Sequence, residues 1–194
     1  MDQPAAPSHT LALPNLLTYG RLAAVPAFAA THFFAGDGWI GLYIFIAASI
    51  TDFFDGYLAR AWGQQSNLGR ILDPIADKLL VGAALLMLAA ERTIAGWSLW
   101  AALIILSREI LVSGLREFLA ELNVRVAVSR LAKWKTGVQM VALSLLIAAG
   151  PGADRPAFVS LLGLTLLWVA ALLTLYTGFD YFRAGLKYAI RPKE

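Results

Sequence analysis

"DFFDGYLARAWGQQSNLGRILDPIADK", from Asp52 to Lys78, holds four aspartates, Asp52, Asp55, Asp73 and Asp77, inside a chain that is 59% hydrophobic. Apolar sequence flanks the stretch on both sides, Gly38–Thr51 before it and Leu79–Ala90 after it. Residues three or four apart share a helix face. Asp52 and Asp55 therefore project together from one helix, and Asp73 and Asp77 from the next. A polar loop, Gly63–Asn67, turns the chain between them. Both cross-pairs, 52 with 77 and 55 with 73, are centred on residues 64–65. In an antiparallel hairpin the four carboxylates then fall at one depth, about two turns into the helices.

Four converging carboxylates in a low dielectric repel one another and are costly to bury ionised. Compensation must come from positive charge. A set of oxygen donors favours a hard cation such as Mg2+, Mn2+ or Ca2+. Four acids can hold two ions, or one ion with a carboxylate left as a base. A two-metal site clamps the attacking and leaving oxygens of a phosphoryl displacement. Small residues stand beside the acids: Gly56 next to Asp55, Ala59 one turn on, and Gly69 one turn before Asp73. Glycine within a helix costs about 1 kcal/mol relative to alanine, so its presence suggests the close approach of something bulky. Arg60, one turn beyond Gly56, suits a phosphate. Pro74 removes a backbone donor near the start of its helix.

The bulk of the chain supports a membrane setting. Its 194 residues are only 15% charged, and the mean hydropathy is +0.65. Uncharged runs recur at Leu22–Gly36, Gly38–Thr51, Leu79–Ala90, Thr93–Ser107, Thr136–Ala153 and Pro156–Phe179. The last two alone reach the length of about 18 that suggests a span, and the others count once a few charges are allowed inside them. Six such blocks leave too little polar surface to coat a soluble fold. The expectation is an all-α integral membrane protein of six transmembrane helices. Of the 16 Lys and Arg, alternation leaves Arg92 and Arg155 on one side and the other fourteen on the opposite side. The positive-inside rule makes the richer side, with both termini, cytoplasmic. A pI near 9.3 then reflects topology and anionic lipid head groups rather than nucleic acid. With no cysteine, disulfides and thiolate chemistry are excluded. No cleaved signal peptide is expected at the N-terminus.

Along the chain, residues 1–13 read as a flexible N-terminal segment and 14–194 as one membrane domain. A short interfacial helix is expected from Pro14. Further helices are expected at Trp39–Ala61, Gly69–Ala90 and Ser98–Leu122, with turns at Ala35–Gly38, Glu91–Trp97 and Gly150–Pro156. Asn123–Lys135 reads as a basic connector, and the sixth helix runs to about Lys187. Phe33, Phe34, Trp168, Tyr176, Phe179, Tyr181 and Phe182 suit lipid contact or packing.

The pattern Asp52-x2-Asp55-Gly56-x2-Ala59-Arg60-x8-Gly69-x3-Asp73-x3-Asp77 resembles the signature of the CDP-alcohol phosphatidyltransferase family at every one of its eight fixed positions. That resemblance implies a six-helix membrane enzyme, a homodimer, with its site facing the cytoplasm. Such enzymes transfer a phosphatidyl group from a CDP-lipid to an alcohol and release CMP. "PNLLT" (Pro14–Thr18), "LSREILVSGLREFLAEL" (Leu106–Leu122) and "AKWKTGVQMVAL" (Ala132–Leu143) are similar to the bacterial members that use glycerol 3-phosphate. Partners so implied are CDP-diacylglycerol, glycerol 3-phosphate and the lipids of a bacterial inner membrane, with no nucleic acid.

Carried over residue by residue, the resemblance makes Asp52, Asp55, Asp73 and Asp77 the ligands of one or two Mg2+ or Mn2+ ions. Asp73 and Asp77 are the catalytic pair, with Asp77 the favoured general base. Asn15, Thr18, Asp52, Gly56, Ala59, Arg60 and Gly69 line the CDP-lipid side, although Asn15 and Thr18 are also ordinary helix caps. The phosphate of the acceptor needs a second anion site, for which Arg108, Arg116, Arg130, Lys133 and Lys135 are the candidates. Arg125 reads better as a positive-inside residue. Mid-span Arg108 is costly without a function. Glu109 and Arg116, seven apart, are expected to brace each other. His9 and His32 lie outside the motif, so a covalent intermediate on histidine is not expected. An aspartyl intermediate stays open. Two rival readings remain: a family member with another acceptor (phosphatidylglycerol or an inositol phosphate), and a cation transporter using the aspartates.

Overall fold

A computed structural model of the chain describes residues 13–34, 38–62, 67–122, 124, 130–150 and 156–190. Side chains 13–15, 52–62, 67–70, 130, 132–133, 180, 184 and 187–190 lie outside the description. The expected flexible segment, the loop at residues 63–66 and most of the basic connector also lie outside it.

Among the described residues the fold is all helical: α1 (Leu13–Phe34), α2 (Gly38–Trp62), α3 (Asn67–Ala90), α4 (Ser98–Glu121), α5 (Arg130–Ala148) and α6 (Ala157–Ile190). Each follows a run rich in Ala, Leu and other good helix formers, and α1 and α3 each carry a proline inside, Pro26 and Pro74. α1 is one continuous helix rather than a short interfacial piece followed by a span; it starts at Leu13 and passes through Pro26. α5 begins five residues before Lys135, inside the stretch expected to be connector. The reason is local: Arg130-Leu-Ala-Lys-Trp-Lys135 contains no Gly or Pro. The turn after α3 falls at Glu91–Trp97 as expected. There Arg92 adopts φ 62° and Gly96 φ 55°, and the Ile94 N–H donates back to the Leu88 carbonyl at 3.0 Å.

The chain divides into two compact units, Met1–Ala83 and Ala84–Glu194, with the boundary inside α3. In the first unit α1 and α2 pack antiparallel. The Phe28 and Phe45 rings lie 6.1 Å apart at 50°, and Phe45 is fully buried with Leu42 and Ala48.

In the second unit α6 packs against both α4 and α5. α4 and α6 are long and apolar enough to cross a membrane by length and composition, over Ser98–Glu121 and Ala157–Arg183. At about 1.5 Å per residue the 34 residues of α6 extend about 50 Å, well past a hydrocarbon layer of about 30 Å. Large apolar side chains face outward along these helices: Ile110 is 62% exposed, Leu161 65% and Phe179 64%. A row of that kind is a contact surface for lipid or protein rather than for water.

Lipid tails are as apolar as leucine, so close packing and polar contacts must hold such helices together. Glycines supply the packing. A Cβ on Gly178 would come within 3.1 Å of the Arg108 side chain, and one on Gly185 would collide with Leu115. Both pairs are seven residues apart, so α4 and α6 run in the same direction, in register over two turns. On the other flank Gly163 of α6 faces Leu146 of α5, where a Cβ would lie 2.8 Å from Cγ.

Polar contacts supply the rest. The Arg108 Nε donates to the Thr174 carbonyl at 3.1 Å, and Nη2 donates to the Thr177 Oγ1 at 3.1 Å. Thr177 Oγ1 itself donates to the Leu173 carbonyl at 2.8 Å, which turns a lone pair toward the guanidinium. The Arg108 Nη1 lies 3.5 Å from Glu109 Oε1, and the same oxygen accepts from the Lys135 ammonium. Lys135 is buried. One carboxylate between two cations thus joins α4, α5 and α6.

Unfolding in detergent tests both kinds of contact. Gly163→Ala lowers stability, because overpacking costs about 1–3 kcal/mol against a helix-propensity gain of about 1 kcal/mol. Gly114→Ala, with nothing within 4 Å of its Cβ, shifts the midpoint upward instead. Glu109→Gln removes the carboxylate that Lys135 and Arg108 share and lowers stability, by up to about 3–5 kcal/mol. Adding Lys135→Met recovers most of that loss; simple additivity of the two changes would show that the pair is not coupled.

Candidate active site

α1 and α3 bring the first two candidate site residues together. Thr18 lies in the second turn of α1 and is 2% exposed. Its Oγ1 donates to Asp73 Oδ1 at 2.5 Å, across 55 residues of sequence. Asp73 and Asp77 stand one turn apart on α3 and are both half-buried, while the intervening Ala76 is fully buried. Ile71, Ile75 and Leu79 lie on a more exposed face of the same helix. This placement follows from the 3.6-residue repeat, which gives the acids one side of α3 and the large aliphatics another. Pro74 cannot donate to the carbonyl of Arg70, yet α3 continues through it. One turn on, Lys78 Nζ donates to the Pro74 carbonyl at 2.8 Å.

Asp52, Asp55, Gly56, Ala59 and Arg60 belong to α2, and Gly69 to α3; their side chains lie outside the described residues, as does that of Asn15 in α1. Among the described residues, no three His, Cys, Asp or Glu come together as a metal site. The described part of the donor set still fits a hard divalent cation. It offers carboxylate oxygens only, on one helix face, half open, with one of them fixed by a neutral hydroxyl that adds no competing charge.

The basic candidates divide. Arg108 and Lys135 are engaged in the α4–α5–α6 network, Arg108 on α6 and Lys135 on Glu109. Arg116 is exposed on α4. The side chains of Arg130 and Lys133 lie outside the description. Glu109 does not brace Arg116: its partners are Lys135 and Arg108. A cavity of about 440 Å³ between α4 and α6, lined by Trp100, Leu103, Ser107, Arg108, Phe179 and Phe182, is almost entirely apolar and offers little to carry out chemistry.

Two residues stand out that sequence reasoning did not place in the site. Arg21 is 1% exposed, three residues after Thr18, so α1 turns a hydroxyl and a guanidinium to the inside on one face. The spacing "TYGR" within an apolar run carried that signal, because an arginine there needs a partner. Glu109, the hub of the basic network, gave no such signal beyond its place beside Arg108.

Comparison with known proteins extends these observations over nearly the whole chain. A protein of Rickettsia bellii named CDP-diacylglycerol–glycerol-3-phosphate 3-phosphatidyltransferase is 47% identical over 178 residues, covering 91% of this chain and 96% of its own. Proteins with the same name from Cereibacter sphaeroides and Salmonella typhimurium are 39% and 42% identical, over 91% and 89% of this chain and 96% and 94% of theirs. The family profile described as CDP-alcohol phosphatidyltransferase matches residues 11–176, a span that contains all four aspartates, Thr18, Arg108, Glu109 and Lys135. With that match running from α1 into α6 and relatives 39–47% identical over about nine tenths of its length, this chain belongs to the CDP-alcohol phosphatidyltransferase family.

Proposed function

We propose that this protein transfers the phosphatidyl group of CDP-diacylglycerol to sn-glycerol 3-phosphate, giving phosphatidylglycerophosphate and CMP in phospholipid synthesis. The observation that carries this is the 47% identity over 91% of the chain to a protein named for that reaction. Residues 14–194 act as a single catalytic domain in this reading. Its six helices span the inner membrane of a bacterium, with termini and site on the cytoplasmic face. The working form is a homodimer. The distribution of Lys and Arg supports that orientation, and the outward apolar faces of α4 and α6 support the lipid setting.

Asp52, Asp55, Asp73 and Asp77 hold one or two divalent cations, Mg2+ or Mn2+. Bound there, the cation supplies charge neutralisation for the diphosphate of the CDP-lipid. Gly56, Ala59 and Gly69 keep space for the nucleotide, Asn15 and Thr18 stand on its side, and Arg60 takes a phosphate oxygen. Arg108, Arg116, Arg130, Lys133 and Lys135 form the basic field for the acceptor's phosphate. Asp77 accepts the proton of the glycerol 1-hydroxyl. The oxygen so freed bonds to the β-phosphorus of the CDP-lipid, the bond from that phosphorus to the bridging oxygen breaks, and CMP departs with the pair. Positioning and charge stabilisation carry most of the rate, as in other phosphoryl transfers.

An acceptor panel with labelled CDP-diacylglycerol and purified protein tests the assignment: glycerol 3-phosphate takes up the label. Labelling of inositol phosphate or phosphatidylglycerol in its place would give the chain a different reaction within the family. Asp77→Asn lowers turnover by roughly 10²–10⁴ in the same assay; full turnover in that variant would remove Asp77 as the base.

A further inference from the structure

We propose that Thr18 is a positioning residue for Asp73: its hydroxyl, presented from α1, sets the carboxylate of α3 for divalent-cation binding. This rests on the reading of Asp73 as a cation ligand and adds to it a group from a different helix.

The position of Thr18 in the chain excludes the simplest alternative. A capping hydroxyl sits at the residue before the first turn and bonds the N–H groups just after it. α1 starts at Leu13, so Thr18 is already in its second turn, beyond the one or two residues by which helix ends are uncertain. Thr31, Ser49, Thr51, Thr165 and Thr177 each donate to a carbonyl three or four residues back in their own helix, the usual local bond for such residues. Thr18 reaches a charged side chain on another helix. It does so while 2% exposed, so the hydroxyl itself is shielded from water.

The chemistry of the contact suits orientation rather than neutralisation. The last torsion of an aspartate is broad, so an isolated carboxylate samples many headings. A hydrogen bond to Oδ1 restricts that rotation and leaves Oδ2 for another partner. An arginine or lysine in the same place would orient the group too, but would bring the positive charge that a cation is meant to supply. A hydroxyl orients and stays neutral. Groups that hold a metal ligand in this way typically contribute 10–100-fold to metal affinity.

The test uses the purified full-length protein in detergent and titrates Mn2+ without substrate, following the paramagnetic signal of free Mn2+. Thr18→Val keeps the shape and loses the hydroxyl; it weakens Mn2+ binding roughly 10–100-fold. Thr18→Ser restores affinity to within about threefold of the parent, since it keeps the donor. If the valine variant does not fold, Thr18→Ala against Thr18→Ser gives the same comparison. At saturating Mn2+ the KM of Thr18→Val for CDP-diacylglycerol returns to within about threefold of the parent, because occupancy then compensates for weaker binding. A KM that stays high would make Thr18 a nucleotide contact and overturn the proposal, as would an unchanged Mn2+ affinity in Thr18→Val. Asp73→Asn separates the two levels. Weak Mn2+ binding in Asp73→Asn with normal binding in Thr18→Val removes only the positioning role, whereas normal binding in Asp73→Asn removes the cation reading of Asp73 and the proposal with it.

Discussion

Charge inside an apolar helical protein has to be matched by a specific group, because surrounding hydrocarbon and leucine offer it nothing. Much of what is distinctive in this chain follows from that constraint. Asp73 is met by a hydroxyl from α1. Glu109 is shared by Lys135 and Arg108, and Arg108 spreads its remaining donors over α6. These contacts lie within each of the two compact units, and in each at least one joins helices that the chain connects only through another: Thr18 with Asp73 joins α1 to α3, and Arg108 with Thr177 joins α4 to α6. A polar group in such surroundings therefore fixes which helices pack together and at what height.

Close approach of the helices makes those contacts possible. Arg108 lies flat on α6 because residue 178 has no Cβ, and α4 remains beside α6 at Leu115 because residue 185 has none. Apolar burial alone would allow α4 and α6 to slide, since a leucine loses little by exchanging a helix neighbour for a lipid tail. The glycines and the guanidinium remove that freedom at two heights, one heptad apart. A reaction that depends on placing a hydroxyl against a phosphorus has use for such rigidity, because small displacements of positioning groups cost large factors in rate.

The helices were legible in the sequence because their causes are local. Uncharged runs and breaker clusters located the six helices of the described residues, with α4 beginning at Ser98 as expected and the turn before it at Glu91–Trp97. Where the boundaries moved, local chemistry again gives the reason: the connector ahead of Lys135 had charge but no breaker, so it joined α5. Partner choice was far less legible. Glu109 and Arg116 share a face by spacing, yet Glu109 turns to Lys135, 26 residues away, because α5 delivers a buried cation there and Arg116 has an exposed position. Thr18 looked like a cap or a nucleotide contact, and its bond to Asp73 spans 55 residues. Neither pairing has a periodic signature, since each depends on which helices meet. The aspartate pattern itself was read from spacing alone, and α3 places Asp73 and Asp77 on one face, as a separation of four requires.

The central claim is that carboxylates from α2 and α3 ligate a common divalent cation. Metal-dependent CMP release by Asp55→Cys and Asp73→Cys variants tests it most directly, in a chain with no other cysteine. Thiolate prefers softer ions than carboxylate does. The account predicts that in both variants Mg2+-supported release falls by roughly 10² or more, and that Cd2+ recovers a substantial part of it. Undiminished release with Mg2+ in either variant would contradict the claim, because the helix carrying that aspartate would then contribute no ligand.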